Sequence, residues 1–314
     1  MSSSIFDDKN EEYLRKIIDA DENLKNDASA SLEKIIASKL QTEKDIRELE
    51  GSKSIPVSIL PSRGLFYPED LVITVSPLKV KQIRHFSTID ETDEIDVTTK
   101  LNFIVNSSIK VQTKAKGFSS ISLLDIDRLY LLFIVREITF VEFPSIMKIE
   151  STCNECETTE MVDIKAERLG AVKQGSLEDY LSTYSKQDRC INFTIGQELL
   201  KFYLPSMENL EVARKEIIDN NLTEEEHDRF MLCFLTPPGI KLSNLDFLKF
   251  EQEMEEWSPD KYMAVRSFVS AVNSSYSIDV YYKCSSCGAG VAAPLRFHRG
   301  IKELFVPQLS DRPD

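Results

Sequence analysis

Apolar residues recur at helical spacing through the first fifty positions, with Leu14, Ile17 and Ile18 followed by Leu32, Ile35, Ile36 and Leu40. The stripe is narrow and Asp27-Ala28-Ser29 interrupts it. Residues 1–52 therefore read as a charged extension of one or two amphipathic helices, either solvated or docking in a partner's groove. Gly51-Ser52 ends that regime. Ile55-Pro56-Val57-Ser58-Ile59-Leu60 predicts a short extended run, Pro61-Ser62-Arg63-Gly64 a turn, and Leu71-Val72-Ile73-Thr74-Val75 a strand. Leu78, Ile83 and Phe86 space a helix, and the acidic run from Asp90 to Asp96 reads as its exposed connector. That run lacks the glycine and terminal glutamate of a calcium loop. Ser122 is placed to cap a helix through Leu129, Leu132, Phe133 and Val135, apolar nearly all round and so buried.

The pattern then switches to period two. Ile146 to Ile149 is a strand running into Cys153 and Cys156, and Met161-Val162-Asp163-Ile164 leaves them. The arrangement returns late, with Ile278 to Tyr282 entering Cys284 and Cys287, and Val291 to Leu295 leaving. Between the two, Ile191–Phe193 and Phe202–Leu204 read as a hairpin. Helices follow, with start signals at Ser206, at Thr223 to Glu226, at Ser243 to Asp246 and at Ser258-Pro259. The expected fold is α+β: a zinc-ribbon core in two parts, residues 53–165 and 276–314, interrupted by a mostly helical insertion over 166–275.

Composition narrows the function classes. Of 314 residues, 42% are hydrophobic and 29% charged, enough to form a core without disulfides. The net charge of -14 argues against sequence-independent binding to a phosphate backbone, which needs clustered Lys and Arg. No basic segment followed by an apolar run opens the chain, so no signal peptide is expected. The most apolar stretch, Leu123 to Phe143, carries too many charges for a membrane span. Tight cysteine pairs in a reducing cytoplasm read as metal ligands before disulfides.

The cysteines carry the sharpest chemistry. Two Cys-x-x-Cys turns on neighbouring hairpins complete a tetrahedral thiolate cage, so Cys153, Cys156, Cys284 and Cys287 are the expected ligands of one structural Zn2+. Gly288 after the second pair gives its turn a permissive backbone, and Glu157 makes the first turn less suited. Although 127 residues separate Cys156 from Cys284, closing such a loop costs about 4 kcal/mol, against roughly 10–16 kcal/mol from structural zinc. An insertion able to fold by itself shortens the effective loop. Redox chemistry prefers the pair at a helix N-terminus, which neither pair opens. Four sulfurs also leave no position for a catalytic water. Cys190 and Cys233 read as small core residues.

No phosphate-binding or nucleophile-elbow motif occurs, and His85 and His227 read as surface residues on helices. His298 sits in the basic, aromatic run Leu295-Arg296-Phe297-His298-Arg299-Gly300, either a closing strand and turn or a contact surface. An enzyme is not expected.

Leu60-Pro61-Ser62-Arg63-Gly64-Leu65-Phe66-Tyr67-Pro68 resembles the opening of the T4-type bacteriophage base plate protein family, that of the baseplate hub assembly subunit. The helix with Asp125, Asp127 and Tyr130 through Ile134-Val135-Arg136-Glu137-Ile138-Thr139, then the strand into Cys153-Asn154-Glu155-Cys156, continues the likeness. It covers residues 55–165 and 276–307 and rests on the order of the motifs. The resemblance implies a non-enzymatic tail protein, a hub component or assembly factor, with other baseplate or hub proteins as partners and room for an oligomer within the baseplate. It would work in the host cytoplasm during assembly, or in the virion. The charged extension and the helical insertion depart from the family pattern. The rival is a zinc-ribbon adaptor for nucleic acid or transcription, led by Arg296 to Lys302.

Overall fold

The β-branched run after Gly51 builds an antiparallel sheet in the computed structural model, which describes residues 51–141, 147–165, 169–170, 176–222, 228–275, 279–295, 297 and 300–306. The amphipathic stripe of the first fifty residues, the Thr223–Glu226 start signal, His227, Arg296, His298 and Arg299 lie outside the described residues. Lys53–Ile55 (β1) pairs with Val72–Val75 (β2), and β2 pairs with Ile109–Gln112 (β3). Ile73 and Val75 of the central strand are wholly buried. The extended run predicted from Ile55 to Leu60 stops at Ile55 and becomes a 3-10 turn over Val57–Ile59. Pro56 has no N–H to give a sheet ladder, and Leu60 N–H turns back to the Val57 carbonyl at 3.2 Å.

Three helices pack near this sheet: α1, Val80–Ser87; α2, Glu94–Ser108; and α3, Asp125–Thr139. The acidic connector is shorter than expected, because its second half opens α2. Asp93 caps that helix by accepting from the N–H groups of Ile95 at 2.9 Å and Asp96 at 3.3 Å. Glu94 and Asp96 then add negative charge in the first turn, where the helix dipole favours it. The buried helix begins at Asp125 and not directly after Ser122. Leu123 accepts from Met207 N–H at 2.9 Å and Asp125 N–H donates to the Pro205 carbonyl at 3.0 Å, so the preceding backbone is committed to a bridge.

Two hairpins of five-residue strands follow the expected periodicity. Lys148–Thr152 (β4) pairs with Thr159–Asp163 (β5). Asp279–Lys283 (β10) pairs with Gly290–Pro294 (β11) and, along its first two residues, with Leu169–Gly170 (β6). Between them come Ser176–Leu181 (α4) and a sheet of Tyr184–Ser185 (β7), Cys190–Ile195 (β8) and Glu198–Phe202 (β9). Four helices complete the segment: Met207–Asp219 (α5), Phe230–Leu235 (α6), Asn244–Glu255 (α7) and Pro259–Ser275 (α8). Ser206 and Ser258 each accept from the N–H three residues on, and Ser243 donates its N–H and hydroxyl to Asp246 Oδ2.

Residues 51–314 form one compact unit. A continuous buried apolar cluster runs from Ile55 through Phe202, Phe234 and Phe268 to Phe305. Phe202 of β9 stacks on Phe268 of α8 with centroids 4.4 Å apart. The segment 166–275, read from the sequence as an insertion, thus shares its core with the chain on either side. An ion triad ties its helices: buried Arg229 bonds buried Glu216 at 3.2 Å and half-buried Glu251 at 2.8 Å. The C-terminal segment returns to the first sheet's helices: Phe305 meets Phe86 edge to face at 5.2 Å, and Glu91 accepts from Lys302 N–H at 2.8 Å.

The turn after β1 and the start of α3 meet around one buried carboxylate. Asp127 Oδ1 accepts from Ser62 N–H at 2.8 Å, and its Oδ2 accepts from Ser62 Oγ at 2.6 Å and Tyr67 OH at 2.5 Å. Tyr67 OH in turn accepts from Leu124 N–H at 2.9 Å. Burial pushes the Asp127 carboxyl up to about 6 against the pull of these donors. Gly64 lies at φ +78°, and a Cβ there would stand 2.8 Å from Val57 Cγ2, so the turn admits no side chain at that point.

Candidate metal centre

Each cysteine pair occupies the turn of its hairpin, β4–β5 or β10–β11, and the two turns are built alike. Cys153 N–H donates to the Thr158 carbonyl at 2.9 Å, and Cys284 N–H to the Ala289 carbonyl at 2.9 Å. Glu157 N–H returns to the Cys153 carbonyl at 2.9 Å, as Gly288 N–H does to Cys284. That closure needs positive φ at the fifth turn residue, met by Gly288 at +74° and by Glu157 at +58°. A glutamate is thus held where glycine is the unstrained choice.

The two turns face one another. Cys153 Sγ lies 3.7 Å from Cys287 Sγ, and Cys156 Sγ 3.6 Å from Cys284 Sγ. All four sulfurs lie within 4.8 Å of one another. A disulfide needs an S–S separation of about 2.05 Å, and all six cysteines are free thiols. A tetrahedron with metal–sulfur bonds of about 2.3 Å has edges of about 3.8 Å, close to the two crossed contacts. The cluster is therefore positioned to hold a metal ion. Cys153 and Cys284 are buried, Cys156 is half-buried and Cys287 is exposed, so the inner sulfur of each pair faces the protein and the outer one solvent.

Electrostatics favour a cation in this cage. The hydroxyl of Thr158, 3.3 Å from Cys156 Sγ, and then its backbone N–H stabilise the Cys156 thiolate and bring that thiol down to about 6. At Cys287 the Ala289 N–H also pulls downward, but the Cys156 sulfur, burial, and Cys153 and Cys284 outweigh it and push the thiol up to about 12. Four sulfurs this close do not ionise together without positive charge among them.

The hairpins are also joined outside the sulfurs. Tyr282 OH donates to Ser151 Oγ at 2.8 Å, and Ser285 N–H to Glu160 Oε1 at 3.1 Å, which holds the Glu160 carboxyl below its usual range. These cross-links are outer support of the kind that orients ligands. Sequence reasoning missed them, since no spacing rule pairs Ser151 with Tyr282.

Cys190 and Cys233 stand apart. Both are buried, each donates a weak S–H bond, to Asn192 Oδ1 and to the Asn209 carbonyl, and burial raises both thiols. His85 is exposed on α1 against Phe103. Among the described residues no other group of three or more His, Cys, Asp or Glu residues is gathered to hold a metal, and no helix is long and apolar enough to cross a membrane. Comparison with protein-family models, curated proteins and solved structures finds no match for this chain.

Proposed function

We propose that this protein is a non-enzymatic assembly factor or component of a contractile phage tail, acting in baseplate hub assembly through protein–protein contacts. In this reading a single structural Zn2+ closes a zinc ribbon split between the two hairpins. The four-sulfur cage supports it most directly: soft thiolates in a tetrahedron of this size suit zinc, and four of them fill its coordination, leaving no open position for a substrate.

The phage assignment draws on the ordered resemblance over residues 55–165 and 276–307. Its two leading segments, Leu60–Pro68 and Asp125–Thr139, are in direct contact through Asp127. That contact supports the resemblance as a unit.

Two measurements test the reading. Elemental analysis of the purified protein should return one zinc per chain. Affinity capture from infected cells, followed by mass spectrometry, should recover baseplate hub proteins. Salt-dependent DNA or RNA binding with no hub protein recovered would replace this reading with the nucleic-acid adaptor. A ligand other than cysteine at the metal would instead point to an enzyme.

A further inference from the structure

Helices α3, α5, α6 and α8 leave an open cleft of about 750 Å³ between them. Ile126, Leu129 and Val269 line it, packed against the core on one side and only half-buried on the other, an apolar floor. Arg128, Arg214 and Arg266 stand along it, against Asp125 and Asp228. Three arginines facing two aspartates give the cleft a net positive lining on a chain whose net charge is -14.

The arginines are anchored but not saturated. Arg128 Nη2 lies 3.1 Å from Asp125 Oδ1, Arg214 Nε 3.0 Å from Glu94 Oε1, and Arg266 Nη1 donates to Tyr262 OH at 3.0 Å. A guanidinium carries five N–H donors, so each has donors left over. Among the described residues, the buried Arg214 Nη1 lacks a hydrogen-bond partner, while Asp125 Oδ1 has its ion pair with Arg128. Arg214 belongs to this cleft. Native proteins leave few such donors, and one on an open cleft marks a place where an acceptor from another molecule completes the bonding.

We propose that this cleft docks an acidic amphipathic segment of a partner protein, its apolar side chains on the floor and its carboxylates on Arg214 and Arg266. Arginine forks suit carboxylates, and an uncovered apolar groove rimmed by charge is how short amphipathic segments are gripped. Along α8 the lining runs from Arg266 to Asn273, roughly 10 Å at helical rise, enough for two turns of a bound helix. The inference rests on the cleft's own chemistry and not on the baseplate reading, so either can fail alone.

The test uses the full-length, metal-loaded protein and an array of twelve-residue peptides that vary the positions of Glu among Leu and Phe. A matching array carries Gln for every Glu. The best Glu peptides should bind at least about tenfold more tightly than their Gln counterparts, and Arg214→Met with Arg266→Met should erase that preference. Because those replacements could disturb folding, hydrogen exchange on the unaltered protein gives a second readout: the bound peptide should slow exchange in residues 125–129 and 266–273. Equal affinity for Glu and Gln peptides, no binding anywhere on the array, or protection confined to other segments would overturn the proposal. So would an RNA oligonucleotide that displaces the peptides and protects the same residues.

Discussion

Glu157 and Gly288 hold the same place in the two cysteine turns, each donating its N–H over 2.9 Å to the carbonyl of the turn's first cysteine. One is a glutamate at φ +58°, the other a glycine at +74°. An added Cβ at Gly288 would meet nothing within 4 Å, so a substitution there acts through the backbone alone. Gly288→Ala should lower stability by about 1 kcal/mol, and Glu157→Gly should raise it or leave it level. Urea denaturation of the metal-loaded variants measures both. A neutral Gly288→Ala would show that the positive φ is not required.

Removing one sulfur should dismantle the cage. Cys284→Ser leaves three thiolates, and metal affinity should fall by more than about 100-fold, beyond the loss seen when only an outer partner of a ligand is removed. Thermal melting should drop with it, and chelation of the unaltered protein should reproduce the drop. Unchanged metal content and melting in Cys284→Ser would exclude the four-sulfur site.

Asp127 makes stability depend on pH in an uncommon direction. Burial raises its carboxyl to about 6, above the ordinary value near 3.8. Its contribution is therefore full below about pH 4 and is lost as pH rises through about 6. Asp127→Asn should remove that slope. At pH 7 it should also cost about 1–3 kcal/mol, because an amide NH2 would face Tyr67 OH, whose oxygen already accepts from Leu124 N–H. Denaturant midpoints from pH 4 to 7 for both proteins test this; parallel curves would rule it out.

Arg229 is buried between Glu216 and Glu251. Arg229→Met would leave Glu216 buried without its cation and Glu251 without its two bonds, at a cost of roughly 3–5 kcal/mol. Replacing all three with apolar residues should recover much of that loss. If the single variant melts within a degree or two of the unaltered protein, the triad is not holding these helices.

The legible parts of this sequence were those whose physics is local. Strands on either side of each cysteine pair announce themselves by period two, and the helix starts at Ser206, Ser243 and Ser258 by short side chains ahead of apolar runs. α2 was hidden for the opposite reason: its start lies in an acidic run that reads as solvated connector, although Asp93 followed by Glu94 and Asp96 is a cap with a dipole-matched first turn. The late start of α3 depends on Pro205 and Met207, about eighty residues away, which no window around Ser122 contains. The Asp127 network, the Arg229 triad and the arginine-lined cleft likewise join distant positions. At the metal centre the residue types, their spacing and the poor fit of Glu157 were visible beforehand, but the matched hydrogen bonding of the two turns was not.

The long separation between the halves of the cage also sets a clock. Cys156 and Cys284 are 128 positions apart, and synthesis at about 5–20 residues per second puts roughly 6–26 s between their appearance. Throughout that interval a nascent chain exposes one pair of thiols with no second pair to meet it. Metal capture by all four sulfurs therefore cannot precede translation of the last hairpin, and a chain that ends early is left with a half-site that is chemically distinguishable from the finished protein.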